Sequence, residues 1–182
     1  MNLHMARTLR DWLPADRHAF YYPKPGNAGD ALITSATWQV FDAIGLRPRL
    51  TDPKHIPPRA TVILGGGGNL VPLYRNIARA LEACLDRNVE RCLLLPHSIR
   101  GHETLLARLD ARFTLICRDE PSLRHARQHA PRAHSFMADD LALGLDLEAL
   151  DRRTRTLRHK VALLMDPSWL KRRRAWQGAL KR

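Results

Sequence analysis

Short apolar runs alternate with helix-like segments along most of this chain. The clearest runs, at 60–64, 91–95 and 113–117, each end in turn residues. The segments after them carry apolar residues at three- and four-residue intervals, which is the spacing of one helix face. Runs that are apolar on both faces favour a mainly parallel sheet, because parallel crossovers place helices over both faces. We therefore predict an α/β, Rossmann-like fold with a parallel sheet between helices.

The first unit illustrates the pattern. An aromatic, β-prone run at 18–24 stops at a Pro-Gly pair, and a helix with Asp30 near its start is predicted from Ala31 to Ile44, with Gly45 as its C-cap. The remaining predicted strands are 49–51, 60–64, 91–95, 113–117 and 135–138, and the remaining predicted helices are 71–87, 103–109 and one that ends near Gln128.

The positive charge is concentrated at the C-terminal end. The chain has 182 residues and a formal charge of +12, but residues 152–182 hold 11 Lys/Arg and one acid, which leaves 19 − 17 = +2 for residues 1–151. A nearly neutral domain makes nucleic acid an unexpected main partner. The basic tail keeps two lesser alternatives open, which are salt-sensitive nucleic-acid binding and peripheral contact with anionic lipid.

The domain organisation follows from these patterns. We divide the chain into an N-terminal extension (1–17), a Rossmann-like domain (18–150), and a basic linker with the truncated start of a second domain (151–182). In the last segment, 160–165 reads as one more strand. The alternative is that this strand joins the edge of the same sheet and the tail packs on it as a helix.

No apolar stretch approaches the roughly 18 residues of a membrane span, and the N-terminus lacks the apolar core of a signal peptide. Cys84, Cys92 and Cys117 have no metal-type spacing and fit a reducing compartment. We expect a cytoplasmic protein, at the inner face of the membrane if the tail binds lipid. With no Cys/His cluster or clear carboxylate site in view, no metal is predicted.

Candidate site residues lie after the strands, because ligands of open parallel sheets bind at the carboxyl ends of strands, where neighbouring connections diverge. Polar residues or glycines follow almost every predicted strand: Asn27, Gly29 and Asp30; Gly65, Gly66, Gly67, Gly68 and Asn69; Pro96, His97 and Ser98; Arg118, Asp119 and Ser122; Asp139 and Asp140.

The four glycines at 65–68 allow close backbone approach to a ligand and lead toward a predicted helix N-terminus that can hold an anion. The pattern is neither a dinucleotide fingerprint nor a P-loop. The alternative is a tight junction required by packing.

Three side chains could carry chemistry. Asp30 can cap its helix, or act as a base or hydroxyl acceptor. His97 directly follows an apolar strand, where imidazole can exchange a proton near neutral pH. Arg118 can bind a carboxylate or phosphate through two hydrogen bonds, or pair with a neighbouring acid.

Five motifs in order resemble the polysaccharide pyruvyl transferase family. They are Asn27-Ala28-Gly29-Asp30-Ala31-Leu32-Ile33; Gly65 to Asn69 with Leu70 and Tyr74; Leu95-Pro96-His97-Ser98-Ile99; Cys117-Arg118-Asp119 with Ser122-Leu123; and Asp140-Leu141-Ala142-Leu143. The resemblance implies the N-terminal domain of a two-domain GT-B-like architecture. Family members are longer and carry a second Rossmann-like domain.

The resemblance also implies an activity, which is transfer of a pyruvyl ketal group from phosphoenolpyruvate to a sugar of an exopolysaccharide or cell-surface repeat. The acceptor repeat would be either lipid-linked or free of a lipid carrier. It implies no cofactor beyond this donor substrate. His97 and Asp30 would then be catalytic, and the substrate-binding residues would be Asn27, Gly29, Gly66, Gly67, Gly68, Asn69, Ser98, Arg118 and Ser122. The alternative is a non-catalytic truncated remnant, or an anion- or sugar-binding module.

Overall fold

A computed structural model describes residues 3–23 and 26–152. The strands are β1 (Phe20–Tyr22), β2 (Arg49–Leu50), β3 (Thr61–Leu64), β4 (Gly67–Leu70), β5 (Arg91–Ile99), β6 (Phe113–Cys117) and β7 (His134–Met137). The helices are α1 (Leu3–Trp12), α2 (Ala28–Ile44), α3 (Asn76–Asp86), α4 (Glu103–Leu106) and α5 (Glu120–His129), followed by a 3₁₀ turn at Leu141–Gly144.

All strand pairs described are parallel, in the order β2-β1-β3-β5-β6-β7, with β4 added beside the C-terminal part of β5. This arrangement confirms the predicted Rossmann-like α/β fold. The chain passes from β1 to β2 on one side and then returns to β3 on the other side of β1. The connections therefore diverge at β1 and β3, which is where such sheets bind ligands.

The core has two layers, one on each face of the sheet. On β3, Val62 and Leu64 join a cluster with α3, α4 and α5, whereas Ile63 joins a cluster with α1 and α2. This alternation follows from the two-residue period of a strand. Helix α1, which lies inside the segment taken as an extension, contributes the fully buried Met5 and Leu9 to the second cluster.

Helix α2 has strong end signals and begins and ends close to the predicted positions. Its N-cap is Asn27, and Gly45 ends it in the left-handed conformation with φ 69°. Glycine accepts that conformation without the steric penalty of a Cβ, so the predicted C-cap is confirmed.

Two predicted boundaries are wrong. The glycine run does not open a helix: Gly67–Leu70 is strand β4, and α3 begins only at Asn76. Likewise β5 does not end at Leu95 but continues to Ile99, so His97 and Ser98 lie within the strand. Both errors have the same cause, which is the pairing of β4 with the end of β5. In this pairing Gly67 lies opposite His97 and Leu70 lies opposite Ile99.

The chain forms two compact units, Met1–Leu145 and Asp146–Arg182. The second unit is described only to residue 152. Near its start, the Asp146 carboxylate caps a helical turn by accepting from the Ala149 N–H at 2.9 Å. The predicted strand at 160–165 and the basic tail lie outside the described residues. Among the helices described, none combines the length and apolar character needed to cross a membrane.

Candidate functional site

A cleft of about 410 Å³ lies at the carboxyl end of the sheet, beside the start of α2 and strand β4. Its position agrees with the divergence of the connections at β1 and β3. The residues that line it are Gly26, Asn27, Gly29, Asp30, Ile33, Gly68, Asn69, Tyr74, Asn76 and Arg118.

The first wall of the cleft is the N-terminal turn of α2. Asn27 Oδ1 accepts from the Asp30 N–H at 3.2 Å, and Asp30 Oδ2 accepts from the Asn27 N–H at 3.0 Å. This reciprocal pair satisfies two backbone donors that a helix start leaves open. A Cβ on Gly26 would lie 1.8 Å from Asp30 Oδ2, so a larger residue there would displace the Asp30 side chain from its capping position. Capping by Asp30, one of the two predicted roles, is therefore confirmed.

The opposite wall, formed by β4, is held by His97. Its imidazole is fully buried, and Nε2 accepts from the N–H groups of Asn69 and Leu70 at 3.1 and 3.2 Å. Nε2 also lies 3.1 Å from Asn69 Oδ1, so both the backbone and the side chain of Asn69 contact the ring. His97 thus fixes the backbone of β4, and its Nε2 lies behind the cleft rather than in it.

The Arg118 side chain reaches Gly68 of β4. Its Nε donates to Ser98 Oγ at 2.8 Å, and its Nη1 pairs with Asp140 Oδ2 at 2.8 Å. Nη2 lies so close to Gly68 that a Cβ there would be 2.7 Å from it. Within the described part of the chain, no hydrogen-bond acceptor is assigned to Nη2, so this end of the guanidinium remains available to a ligand in the cleft.

A network around Asp119 supports Arg118 from behind. Asp119 is the N-cap of α5 and accepts from the Ser122 N–H and hydroxyl, at 2.9 and 2.7 Å. Ser98 donates its hydroxyl to Asp119 Oδ2 at 2.9 Å, which leaves a Ser98 lone pair for Arg118. Arg100 also donates to Asp119, at 3.1 Å. The ends of β5 and β6 and the start of α5 are thereby joined.

The Asp119 carboxylate at the centre of this network stays ionised. Burial raises the pKa of Asp119, but hydrogen bonds from Ser122, Ser98 and Arg100 have the larger effect. Together they lower the pKa of Asp119 to about 2. A carboxylate that stays charged continues to accept these hydrogen bonds. It therefore orients the Ser98 hydroxyl that holds Arg118.

The predicted site residues fall into two groups. Those that line the cleft are Asn27, Gly29, Asp30, Gly68, Asn69 and Arg118. Those outside the lining are Gly66, Gly67, His97, Ser98 and Ser122, among which Ser122 is fully buried in the Asp119 network. Gly66 packs closely, since a Cβ there would lie 2.9 Å from the Pro96 carbonyl oxygen. His97 and Ser122 thus lie outside the lining of this cleft.

The prediction missed other residues of the site. Tyr74 and Asn76 line the cleft from the segment after β4, and Arg100 belongs to the supporting network. Tyr74 belongs to the second of the five motifs, which was a usable signal, but no role in the site was predicted for it.

Three potential metal ligands also meet in the fold, although the sequence analysis predicted none. They are Glu103, His125 and His129, and none of them lines the cleft.

The fold and the cleft define a Rossmann-like α/β protein with a cationic group held at the carboxyl edge of its sheet. The family model of polysaccharide pyruvyl transferases matches residues 27–174, and the chain belongs to that family. The resemblance drawn from the five motifs is thereby confirmed.

A solved structure agrees with the fold. A functionally uncharacterised protein from Klebsiella pneumoniae subsp. pneumoniae NTUH-K2044 is 28% identical, with a TM-score of 0.70 over 81% of this chain and 58% of its own. The chain therefore spans less than two thirds of that protein. A de novo designed Rossmann 2x3 protein is 13% identical, with a TM-score of 0.34 over 68% of this chain and 78% of its own. No curated protein matches the chain significantly.

Proposed function

We propose that this chain binds phosphoenolpyruvate in the cleft and contributes to transfer of its pyruvyl group to a sugar of an exopolysaccharide or cell-surface polysaccharide repeat. Membership of the family supports the general class of activity. The observation that carries the choice of donor is Arg118, which Ser98 and Asp140 hold in place while Nη2 lies against Gly68.

The cleft suits a small anion with polar substituents. A guanidinium binds phosphate or carboxylate through parallel, charge-assisted hydrogen bonds. Here two of its nitrogens are already fixed, so little side-chain entropy remains to be lost when a ligand binds Nη2. The amides of Asn27, Asn69 and Asn76 also line the cleft and can bind carboxylate or hydroxyl groups. A volume of about 410 Å³ suits a donor of this size together with part of a sugar.

Ketal formation sets the chemical requirements. A proton must be added to the methylene carbon of the enol, sugar oxygens must bond to the adjacent carbon, and phosphate must leave with its bonding electron pair. A general base that takes the hydroxyl proton assists the attack, and cationic groups stabilise the departing phosphate. We assign phosphate or carboxylate binding to Arg118 and hydroxyl binding to Asp30.

His97 receives a different role from the one the sequence suggested. Its Nε2 already contacts the N–H groups of Asn69 and Leu70 and the Asn69 Oδ1, so a proton transferred at this nitrogen would disturb the bonds that hold β4. We therefore propose that His97 positions β4 and does not exchange a proton with the substrate.

A non-catalytic binding module is the second candidate. The specific observation in its favour is that both groups predicted to transfer protons are engaged in structural hydrogen bonds, Asp30 with Asn27 and His97 with β4. This candidate predicts anion or sugar binding without release of phosphate. The first proposal, the transferase, also includes three further features. They are a lipid-linked acceptor, a location at the inner face of the membrane and lipid contact by the basic tail.

Titration calorimetry of the full chain tests the donor. We expect phosphoenolpyruvate to bind more tightly than either pyruvate or inorganic phosphate, because it carries both anionic groups. Equal affinity for inorganic phosphate, or no binding, would contradict the choice of donor. A phosphate-release assay with a panel of saccharides then separates the candidates, since only a transferase releases phosphate when an acceptor is added.

A further inference from the structure

We propose that Glu103, His125 and His129 form a binding site for a divalent transition metal of the zinc class. One ring nitrogen of each histidine and one carboxylate oxygen of Glu103 lie within 4.8 Å of one another. All three lie outside the cleft lining, so the site does not depend on the proposed function.

The fold brings the three residues together through α4 and α5. His125 and His129 are one helical turn apart on α5, which places both on one face of the helix, and their ring centroids are 4.5 Å apart. Glu103 begins α4 directly after Gly101 and His102, both of which have left-handed backbone conformations. This turn brings Glu103 Oε1 to 3.9 Å from His125 Nε2.

The chemistry of the three donors suits zinc. Imidazole nitrogens and a carboxylate oxygen are zinc ligands, and two histidines with one acid form a known three-ligand set that leaves a fourth position for water. A histidine pair at this helical spacing on one face is a recognised source of two ligands. Calcium and magnesium prefer all-oxygen sites, which this cluster does not offer.

The distances require only a local adjustment. Ligand atoms at about 2.0–2.1 Å from a tetrahedral metal lie about 3.3 Å from one another, so the cluster must contract by roughly 1.5 Å. The Glu103 side chain is 55% exposed and can rotate to close this gap. The His125 ring is already oriented by a 2.9 Å hydrogen bond between Nε2 and the Gly101 carbonyl oxygen, so the metal would bind Nδ1 while Nε2 keeps this carbonyl. Metal-binding histidines commonly donate their second ring N–H to such a carbonyl.

A bound metal would connect the turn at Gly101 to α5. Because the metal would bind the folded chain and not the dispersed ligands of the unfolded one, it would raise thermal stability with the logarithm of its free concentration once that exceeds the Kd. Arg124, the nearest arginine to His125 along α5, is paired with Glu120 at 3.5 Å, which offsets its repulsion of a cation.

Titration of the full chain with Zn²⁺ alone tests the site. We expect one ion to bind wild type, and Co²⁺ to give the visible absorption of a low-coordinate complex. Glu103→Gln and His129→Gln each remove one ligand and should weaken binding by roughly tenfold or more, the scale reported even for partners of ligands. Both residues have solvent access, and circular dichroism verifies that the variants fold. His125 is avoided because it also bonds Gly101.

His55→Gln is the matched control, since His55 is an exposed histidine paired with Asp52 at 2.8 Å. It should bind Zn²⁺ as wild type does and keep the zinc-dependent rise in Tm that the two ligand variants lose. No binding by wild type, unchanged binding in both ligand variants, or an equal loss in His55→Gln would each overturn the proposal. The last two results would place the ion elsewhere in the chain.

Discussion

Two helices begin at the carboxyl edge of the sheet with an aspartate in the capping turn, yet the two caps have different partners. At α2, Asn27 and Asp30 bond reciprocally to each other's backbone and form an exposed wall of the cleft. At α5, Asp119 caps the helix and also accepts from Ser98 and Arg100.

The difference shows that a helix cap can either stabilise its own helix alone or also hold residues of neighbouring strands in place. The α2 cap meets the needs of its own helix, so its sequence signal is local and complete. The α5 cap is an anion that organises residues from β5, β6 and α5, and through Ser98 it fixes the cation of the cleft. We infer that substitutions at Asp119 reach ligand binding through Arg118, whereas substitutions at Asp30 act directly at the cleft wall.

The largest expected effect is that of Asp119→Ala on stability. It removes a cap, worth about 1 kcal/mol, and leaves the partly buried Arg100 and Ser98 without their acceptor, for a total loss of about 3 kcal/mol. Asp30→Ala removes one exposed reciprocal bond and should cost about 1 kcal/mol or less. Urea unfolding of both variants measures the difference, and equal losses would contradict the comparison.

A second prediction concerns the loss of stability at low pH. Because the folded state lowers the pKa of Asp119 to about 2, its contribution to stability is fully present above its unfolded pKa of roughly 3.9 and is lost as the pH falls through the folded value. The free energy of unfolding of wild type should therefore fall more between about pH 4 and pH 2 than that of Asp119→Asn. Parallel curves for the two proteins would show that the carboxylate is not stabilised as described.

Gly68→Ala should affect binding more than folding. A Cβ there would lie 2.7 Å from Arg118 Nη2, the far end of a flexible side chain, so the guanidinium would be displaced. We expect roughly tenfold weaker phosphoenolpyruvate binding, equivalent to about 1.4 kcal/mol. Gly45→Ala is the control: it has φ 69° with no atom within 4 Å, so it should lower stability and leave binding unchanged. Calorimetry and urea unfolding separate the two effects.

Ser98→Ala is the smallest of these perturbations. It removes the acceptor of Arg118 Nε and the donor to Asp119, but the Asp140 pairing remains. Of the two hydrogen bonds lost, the one to Arg118 acts on the cleft, and its loss of about 1 kcal/mol corresponds to roughly fivefold weaker donor binding. Ser35→Ala, which removes a hydroxyl that bonds within α2, should leave affinity unchanged in the same titration.

Local signals made much of this fold predictable. The buried run at Phe113–Cys117 and the capped helix α2 carry their own period and end signals, so their bounds were close to those observed. Strand β4 carried no such signal, because glycine disfavours strands and its pairing with β5 depends on residues about 30 positions away in sequence.

The site divides in the same way. Asn27, Asp30 and Arg118 were predictable because each follows a recognisable strand, and the fold does bring them to one cleft. The role of His97 depends on Asn69 and Leu70, and the cluster of Glu103 with His125 depends on the approach of two helices. Such contacts arise from tertiary packing, so neither composition nor spacing reveals them.

The most direct test of the central claim is calorimetric titration of phosphoenolpyruvate into wild type, Arg118→Ala and Arg47→Ala at low and moderate salt. Arg47 is also an arginine paired with an aspartate, at 3.0 Å from Asp42, but it lies beyond the C-terminal end of α2 and outside the cleft lining. We predict that binding is lost in Arg118→Ala and retained in Arg47→Ala at both salt concentrations. Retained binding in Arg118→Ala, or equal losses in both variants, would contradict the account.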